Sequence, residues 1–468
     1  MLTLVVWLGI GWSVLFVVIG LLYGLQQYGD GSLFSYAVAV QDAWAFHLHN
    51  MSGRLLVYLY AFVPAESFVS LTRDARGGIM VYGFLFFIAQ LLGLLATRAA
   101  DRSKGRVIFG HACASTACFC PLVFGFPTEM WVAHAVFWPA LAACHYARDG
   151  IRGSGLVFGV LLALAFTHEG AIVLEVAILC TLGLRGLRDD AFRRAAVAFL
   201  VVMVIWGIVK ATYPPDDYYV AIFDAAALHF LDVAPLVDGL SLLLLGTLAA
   251  YAILFLIFRR LAAAKAHFAA AAIVAVALLG YWLWFDRALH TDQRYFFRTA
   301  LLAGTLAFGT LAAVCALHAD GRLRVRILPS LMATLASDVT ARAAAGAVLL
   351  VTLIHAVETA KFVAAWTQYK AAVQSLATGT ASDPWLGDAR FVSSDRIGAG
   401  LRRLSWNSTT LYLSVLAAPG FAPARLVVNP RANYFWLSCA TATANQEADR
   451  AVPVASRALV RALACLHR

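Results

Sequence analysis

Residues Arg54 to Leu71 read RLLVYLYAFVPAESFVSL, and whether this run crosses a membrane decides the topology of everything after it. It is apolar enough to pass for a span. If it crossed, every later connection would invert. The basic connections Arg98 to Arg106, Arg148 to Arg152, Arg185 to Arg194, Arg259 to Lys265 and Arg322 to Arg326 would then lie outside, although Lys and Arg collect in cytoplasmic loops. Pro64 and Glu66 also interrupt a clean span. The run is therefore expected to form an amphipathic helix lying in the outer interface, with the basic connections in the cytoplasm. Arg54, Arg73 and Arg76 stand against this, because they put positive charge outside.

The chain around this run is that of an integral membrane protein. Of its 468 residues, 62% are apolar and only 13% charged, and the mean hydropathy is +0.78. Apolar runs close to the ~20 residues that cross a bilayer recur along most of the length, without the alternation of a β-barrel. The fold class is all-α and polytopic. Leu2 to Gly24 lacks a basic leader and a small-residue cleavage site, so it reads as a retained first helix.

With the basic loops inside, the first run goes out and Gly78 to Ala96 returns. Val107 to Phe124 and Trp131 to Tyr146 form the next pair, followed by Leu156 to Thr167 with Ala171 to Leu184. Ala195 to Thr212 exits and Val237 to Phe258 re-enters; Phe268 to Phe285 and Leu301 to Leu317 repeat the step, and Ala343 to Val363 leaves. This makes about eleven transmembrane helices, N-terminus inside and C-terminus outside. The net charge of +10 reports this orientation and gives no sign of nucleic acid.

Residues 1–369 are thus expected to form the bundle, with a first outer loop at 25–77 and an inner linker at 318–342. From Lys370 the long apolar runs give way to turn signals such as Asp383-Pro384 and Pro419-Gly420. Residues 370–468 are expected to be a small α+β outer domain, with strand character at Thr409 to Val415 and Leu426 to Asn429 and a helix at Ala448 to Leu466. Six of the eight cysteines lie in or beside apolar runs, where thiols act as small apolar groups. Cys439 and Cys465 stand apart in the outer tail and are a disulfide candidate.

The two faces differ in chemistry. The outer face gathers acids and histidines, most densely in Gly29 to Asn50, GDGSLFSYAVAVQDAWAFHLHN, which carries Asp30, Asp42, His47 and His49. Ionisable groups at the foot of a membrane helix are costly unless they face water or a protein cavity, so this is the active-site candidate. His168-Glu169 sits at the turn between two runs too short for the bilayer, which would hold the pair below the surface. Pinning the hairpin and a direct catalytic role explain it equally well. Glu175, further down the second run, is a second intramembrane carboxylate that needs a partner. Arg294 and Arg298, at i and i+4 before the tenth span, suit a phosphate clasp on one helical face or interfacial anchoring. No Walker loop, HExxH, nucleophile elbow or dinucleotide fingerprint occurs. Cys113, Cys118 and Cys120 read as packing, and His134 and His145 as core histidines beside Pro139.

Asp30 opening the first outer loop, Tyr36-Ala37 after it, and then Gln41-Asp42-Ala43-Trp44 resemble the start of the GT-C class of membrane glycosyltransferases, in its protein mannosyltransferase and aminoarabinose transferase branch. The match covers about twenty residues together with the architecture. It departs at Gly31, where that branch often has Glu. The resemblance implies an enzyme of the bacterial inner membrane that moves a sugar from a polyprenyl-phosphate lipid to an acceptor on the periplasmic side, where the C-terminal domain would also lie. Transfer needs a base for the acceptor hydroxyl and cations for the departing phosphate. Asp30 is the first candidate base and Asp42 the second. Tyr36, Trp44, His47 and His49 would line the substrate site, the histidines also able to assist or to hold a divalent metal. The rival readings are a transporter or flippase for a lipid-linked sugar, and an assembly subunit without catalysis. No internal repeat of the transporter kind is visible.

Overall fold

The computed structural model describes residues 2–43, 54–212, 238–261, 265–286, 294–324, 334, 337–379, 391–405 and 409–428. Trp44, His47, His49, Cys439, Cys465 and the expected helix at 448–466 lie outside the described residues.

The protein is an all-α membrane protein. The first apolar run forms α1 (Leu2–Tyr23). Gly24, at φ +67°, ends it, and a single 3-10 turn, Leu25–Gln27, leads to Gly29, at φ +57°. These left-handed positions suit glycine. They reverse the chain within a few residues, so that α2 (Asp30–Val40) starts directly beneath the end of α1. The expected outer loop is therefore largely helical, since α3 (Leu55–Thr72) follows.

The next helices are α4 (Ala75–Ala100), α5 (Val107–Val123), α6 (Glu129–Tyr146), α7 (Ile151–Ala165), α8 (Ala171–Gly183) and α9 (Asp190–Thr212). Then come α10 (Gly239–Leu261), α11 (Ala266–Trp284), α12 (Arg298–Ala319) and α13 (Asp338–Thr378). Eight described helices are long and apolar enough to cross a membrane, α3 among them; α5, α7 and α8 are apolar but shorter. On α9, α10 and α11, residues such as Leu200, Val204, Leu245, Ile253, Phe268 and Val276 remain exposed. An apolar rim of this kind around a folded core is what lipid contact requires.

At the centre stands α6, buried on nearly every side, consistent with its being apolar all round. Close approach sets its neighbours: a Cβ on Gly93 of α4 would come within 2.4 Å of the Ala135 carbonyl oxygen, so the two backbones are almost in contact.

α3 corrects one expectation. It stands antiparallel against the N-terminal half of α4 and does not lie flat across the helix ends. Val69 and Ala65 meet Gly78, Phe62 packs 5.0 Å from Tyr82, and the Tyr60 hydroxyl donates to the Leu85 carbonyl. Its buried face is thereby turned to α4, while Leu59 and Leu71 remain exposed. Tyr60 near its start already faces Leu85, while α4 continues to Ala100.

The C-terminal expectations are corrected in two places. Residues 369 and 370 fall inside α13, which runs on to Thr378, its 41 residues extending about 60 Å. Thr409 to Val415 contributes not a strand but α14 (Thr410–Ala417), buried from Thr410 to Leu416. A short apolar run buried all round carries no period, so it reads equally as strand or helix. β2 (Leu426–Val428) appears near its expected place and pairs in parallel with β1 (Phe391–Ser393). α14 covers α2: Tyr36 and Tyr412 rings lie 5.2 Å apart, and Ser32 Oγ donates to the Thr409 carbonyl. The outer positive charges also find uses. Arg76 donates to the Ala418 carbonyl and lies over the Phe421 ring, fastening this segment to α4.

Candidate active site

Asp30 occupies the first turn of α2, where the exposed backbone N–H groups attract negative charge. A Cβ on the preceding Gly29 would meet the Phe126 ring at 2.4 Å, so this turn is seated directly on the α5–α6 connection. Asp42 lies past the opposite end of α2, its N–H closing the helix on the Ala37 carbonyl. Eleven residues of helix separate the two carboxylates by about 16 Å. They cannot alternate as base at one reacting atom. Tyr36 is 4% exposed and its ring packs against Tyr412 of α14.

Glu129, at the start of α6, and Asp30 both act electrostatically on the buried Tyr82 hydroxyl, which holds no hydrogen bond. From Glu129 the charges continue sideways. The Arg54 guanidinium lies 2.8 Å from Glu129 Oε1 and 3.3 Å from Glu169 Oε2. Lys210 Nζ, at the end of α9, is 3.0 Å from Glu169 Oε1. His168 Nδ1 accepts from the Gly170 N–H, and the ring lies within the field of Arg54 and Arg298. Burial, then Arg54, lowers the His168 pKa to about 4, so the imidazole is neutral near pH 7.

The cluster thus draws on α2, α3, the α6 start, the α7–α8 turn, the α9 end and the α12 start. The short hairpin explains its depth: α7 and α8 have 15 and 13 residues, so their turn stays below the ends of the longer helices. Side chains of Arg54, Glu129, Glu169 and Lys210 are at most 16% exposed. At such burial each charge needs its partner.

Sequence reading singled out Asp30, His168-Glu169 and Arg298 separately, with Arg298 expected on the opposite side of the bundle from Asp30. It missed Glu129 as a specific member, and it read Arg54 as an anomaly and Lys210 only as an intramembrane charge.

Arg294 departs from its expected role. It is 1% exposed, in a 3-10 turn (Arg294–Phe297) ahead of α12, and its Nη1 donates to the carbonyls of Pro121 and Phe124. Its guanidinium lies 3.9 Å from the Phe362 ring centroid. It caps α5, where the last carbonyls have no partners in the helix. The turn breaks the expected register, so Arg298 alone reaches the cluster. Asp286, Lys361 and Glu358 form a separate group, with Lys361 3.5 Å from Asp286 and 3.0 Å from Glu358.

Deeper in the bundle His134 is satisfied: Nδ1 is 2.9 Å from Gln90 Oε1, and Nε2 receives the Trp138 indole N–H and meets Ser115. His145 bonds Thr181. Both are core histidines, as their setting beside Pro139 suggested. Among the described residues no group of three His, Cys, Asp or Glu has metal-ligand spacing. Glu129 and Glu169 are bridged by the cations of Arg54 and Lys210, so these two carboxylates do not fit a resident metal.

Comparison with known protein families, with curated proteins and with solved structures finds no match to this chain.

Proposed function

We propose that the protein is a membrane glycosyltransferase of GT-C type, with about eleven crossings, that takes its sugar from a polyprenyl-phosphate lipid at the Asp30 end of the bundle. The observation that carries this reading is the sheltered cluster of Arg54, Glu129, Glu169, His168 and Lys210, drawn from distant parts of the chain, with Asp30 in the turn of α2 seated on the α5–α6 connection that leads into Glu129. Asp30 would take the proton of the acceptor hydroxyl as its oxygen bonds to the anomeric carbon. The bond from that carbon to the phosphate oxygen breaks, and its electron pair leaves with the phosphate. Cations fixed in a water-poor setting stabilise that charge without reorganising. Glu129 and Glu169 hold Arg54 and Lys210 in place.

An apolar groove of about 970 Å3, lined by Val5, Leu122, Leu244, Phe308 and Val348 among others, runs between α1, α5, α10, α12 and α13. It suits a long lipid chain, and it supports the transporter reading equally.

The test uses membranes supplied with labelled polyprenyl-phosphate sugar and variants expressed at wild-type level. Asp30→Asn should lose transfer by about 100-fold or more while still binding the lipid. Wild-type membranes that bind or move the lipid but transfer sugar to no acceptor would replace this reading with the transporter.

A further inference from the structure

The opposite end of the bundle carries a second polar feature. Its connections turn on the left-handed glycines Gly105, Gly150, Gly186 and Gly321 and are tied together. Asp320 accepts from the Tyr146 hydroxyl at 2.6 Å and from the Lys104 N–H at 3.0 Å. Arg185 donates to the His145 carbonyl, Arg194 to that of Ala147, and the Arg324 N–H to that of Leu184. These ties hold open a cavity of about 780 Å3.

The charges around it are unevenly matched. Asp149 pairs with Arg194 and Asp189 with Arg185, while Asp320 is held as above. Asp190 stands in the first turn of α9, a favourable place for a carboxylate. Arg102, Lys104, Arg148 and Arg322 also line the cavity, and among the described residues no ion pair engages them. They come from the α4–α5 and α6–α7 connections and from the end of α12. Basic residues that only report orientation need neither a shared cavity nor carboxylates already taken by other partners.

We propose that this cavity binds a phosphate-bearing anion at the basic membrane face, held by Arg102, Lys104, Arg148 and Arg322. Guanidinium groups bind phosphate oxygens in pairs, and a group of them near a membrane surface concentrates anionic headgroups. The phosphate belongs either to an anionic phospholipid or to a small soluble phosphate. This inference does not depend on the chemistry of the Asp30 cluster.

The test compares wild type with an Arg102→Gln, Arg148→Gln, Arg322→Gln triple variant, all three positions being exposed, and with the matching triple Lys variant. Purified protein in phosphatidylcholine nanodiscs is titrated with inorganic pyrophosphate. In parallel, retention of phosphatidylglycerol over phosphatidylcholine is read by native mass spectrometry. Binding of either probe that weakens at least tenfold in the Gln variant and is largely kept in the Lys variant supports the site. Phosphatidylglycerol alone identifies a lipid headgroup, and pyrophosphate a soluble ligand. Equal binding of both probes by wild type and the Gln variant, or binding of neither by wild type, overturns it.

Discussion

Arg294 shows how a single side chain changes meaning once its partners are known. Its donors go to the open end of α5 and its plane to Phe362, so Arg294→Ala should act on stability. The loss of charged hydrogen bonds to two buried carbonyls should cost on the order of 3 kcal/mol. Thermal unfolding in detergent would show this as a lowered midpoint, while lipid binding by the surviving folded fraction stays near wild type. Arg54 makes the opposite test of the site. Removing it leaves Glu129 and Glu169 short of a cation, about 3–5 kcal/mol for a buried pair. Arg54→Ala should therefore be less stable than Arg54→Ala combined with Glu169→Gln. His168 sets a pH dependence whose sign follows from its lowered pKa. The folded protein holds the ring neutral down to about pH 4, whereas the unfolded chain takes up a proton near 6.5. Stability from this group is complete above pH 6.5 and is lost as the pH falls towards 4. His168→Gln should remove that portion of the acid sensitivity in unfolding curves taken between those limits. At this scale, the His168-Glu169 pair was legible because an apolar hairpin cannot end in charges without partners. The partners were not, because Arg54 stands 115 residues from Glu169 and no local pattern links them.

Among the elements, α2 and the α4–α6 pair place the acids. α2 was hidden in what the sequence presents as an outer loop. Its residues Gly31 to Val40 are all buried, between α4 and α14, and burial on every side leaves no amphipathic stripe to read. The same loss of period hid α14. The long apolar helices were legible by length and hydropathy alone, since a bilayer demands both. α4 and α6 touch at Gly93, where the Ala135 carbonyl leaves no space for a side chain. Gly93→Leu should force the helices apart, costing about 1–3 kcal/mol. The shift would reach Glu129, six residues before Ala135 on the same rigid helix, and through it Arg54. Sugar transfer should fall more than the amount of folded protein does. Equal losses in both would place the position in packing alone.

For the whole molecule, the two ends of the bundle divide the charge. One end collects the Asp30 cluster, and the other collects basic connections tied to Asp320, Asp149 and Asp189. We propose, from the order of helices and the positive-inside rule, that the basic end faces the cytoplasm. α3 was the segment on which this depended. It runs antiparallel to α4, with Tyr60 bonded to Leu85 and Val69 against Gly78. The orientation can be measured with single cysteines at Arg188, exposed at the basic end, and at Asp395, exposed after α13. In right-side-out membrane vesicles an impermeant maleimide should label Asp395→Cys directly and Arg188→Cys only after permeabilisation. Labelling in the reverse order would put the Asp30 cluster on the cytoplasmic side, where a soluble nucleotide-activated donor would serve in place of a lipid-linked one. Labelling of both without permeabilisation would mean that α13 does not separate the two ends across the bilayer.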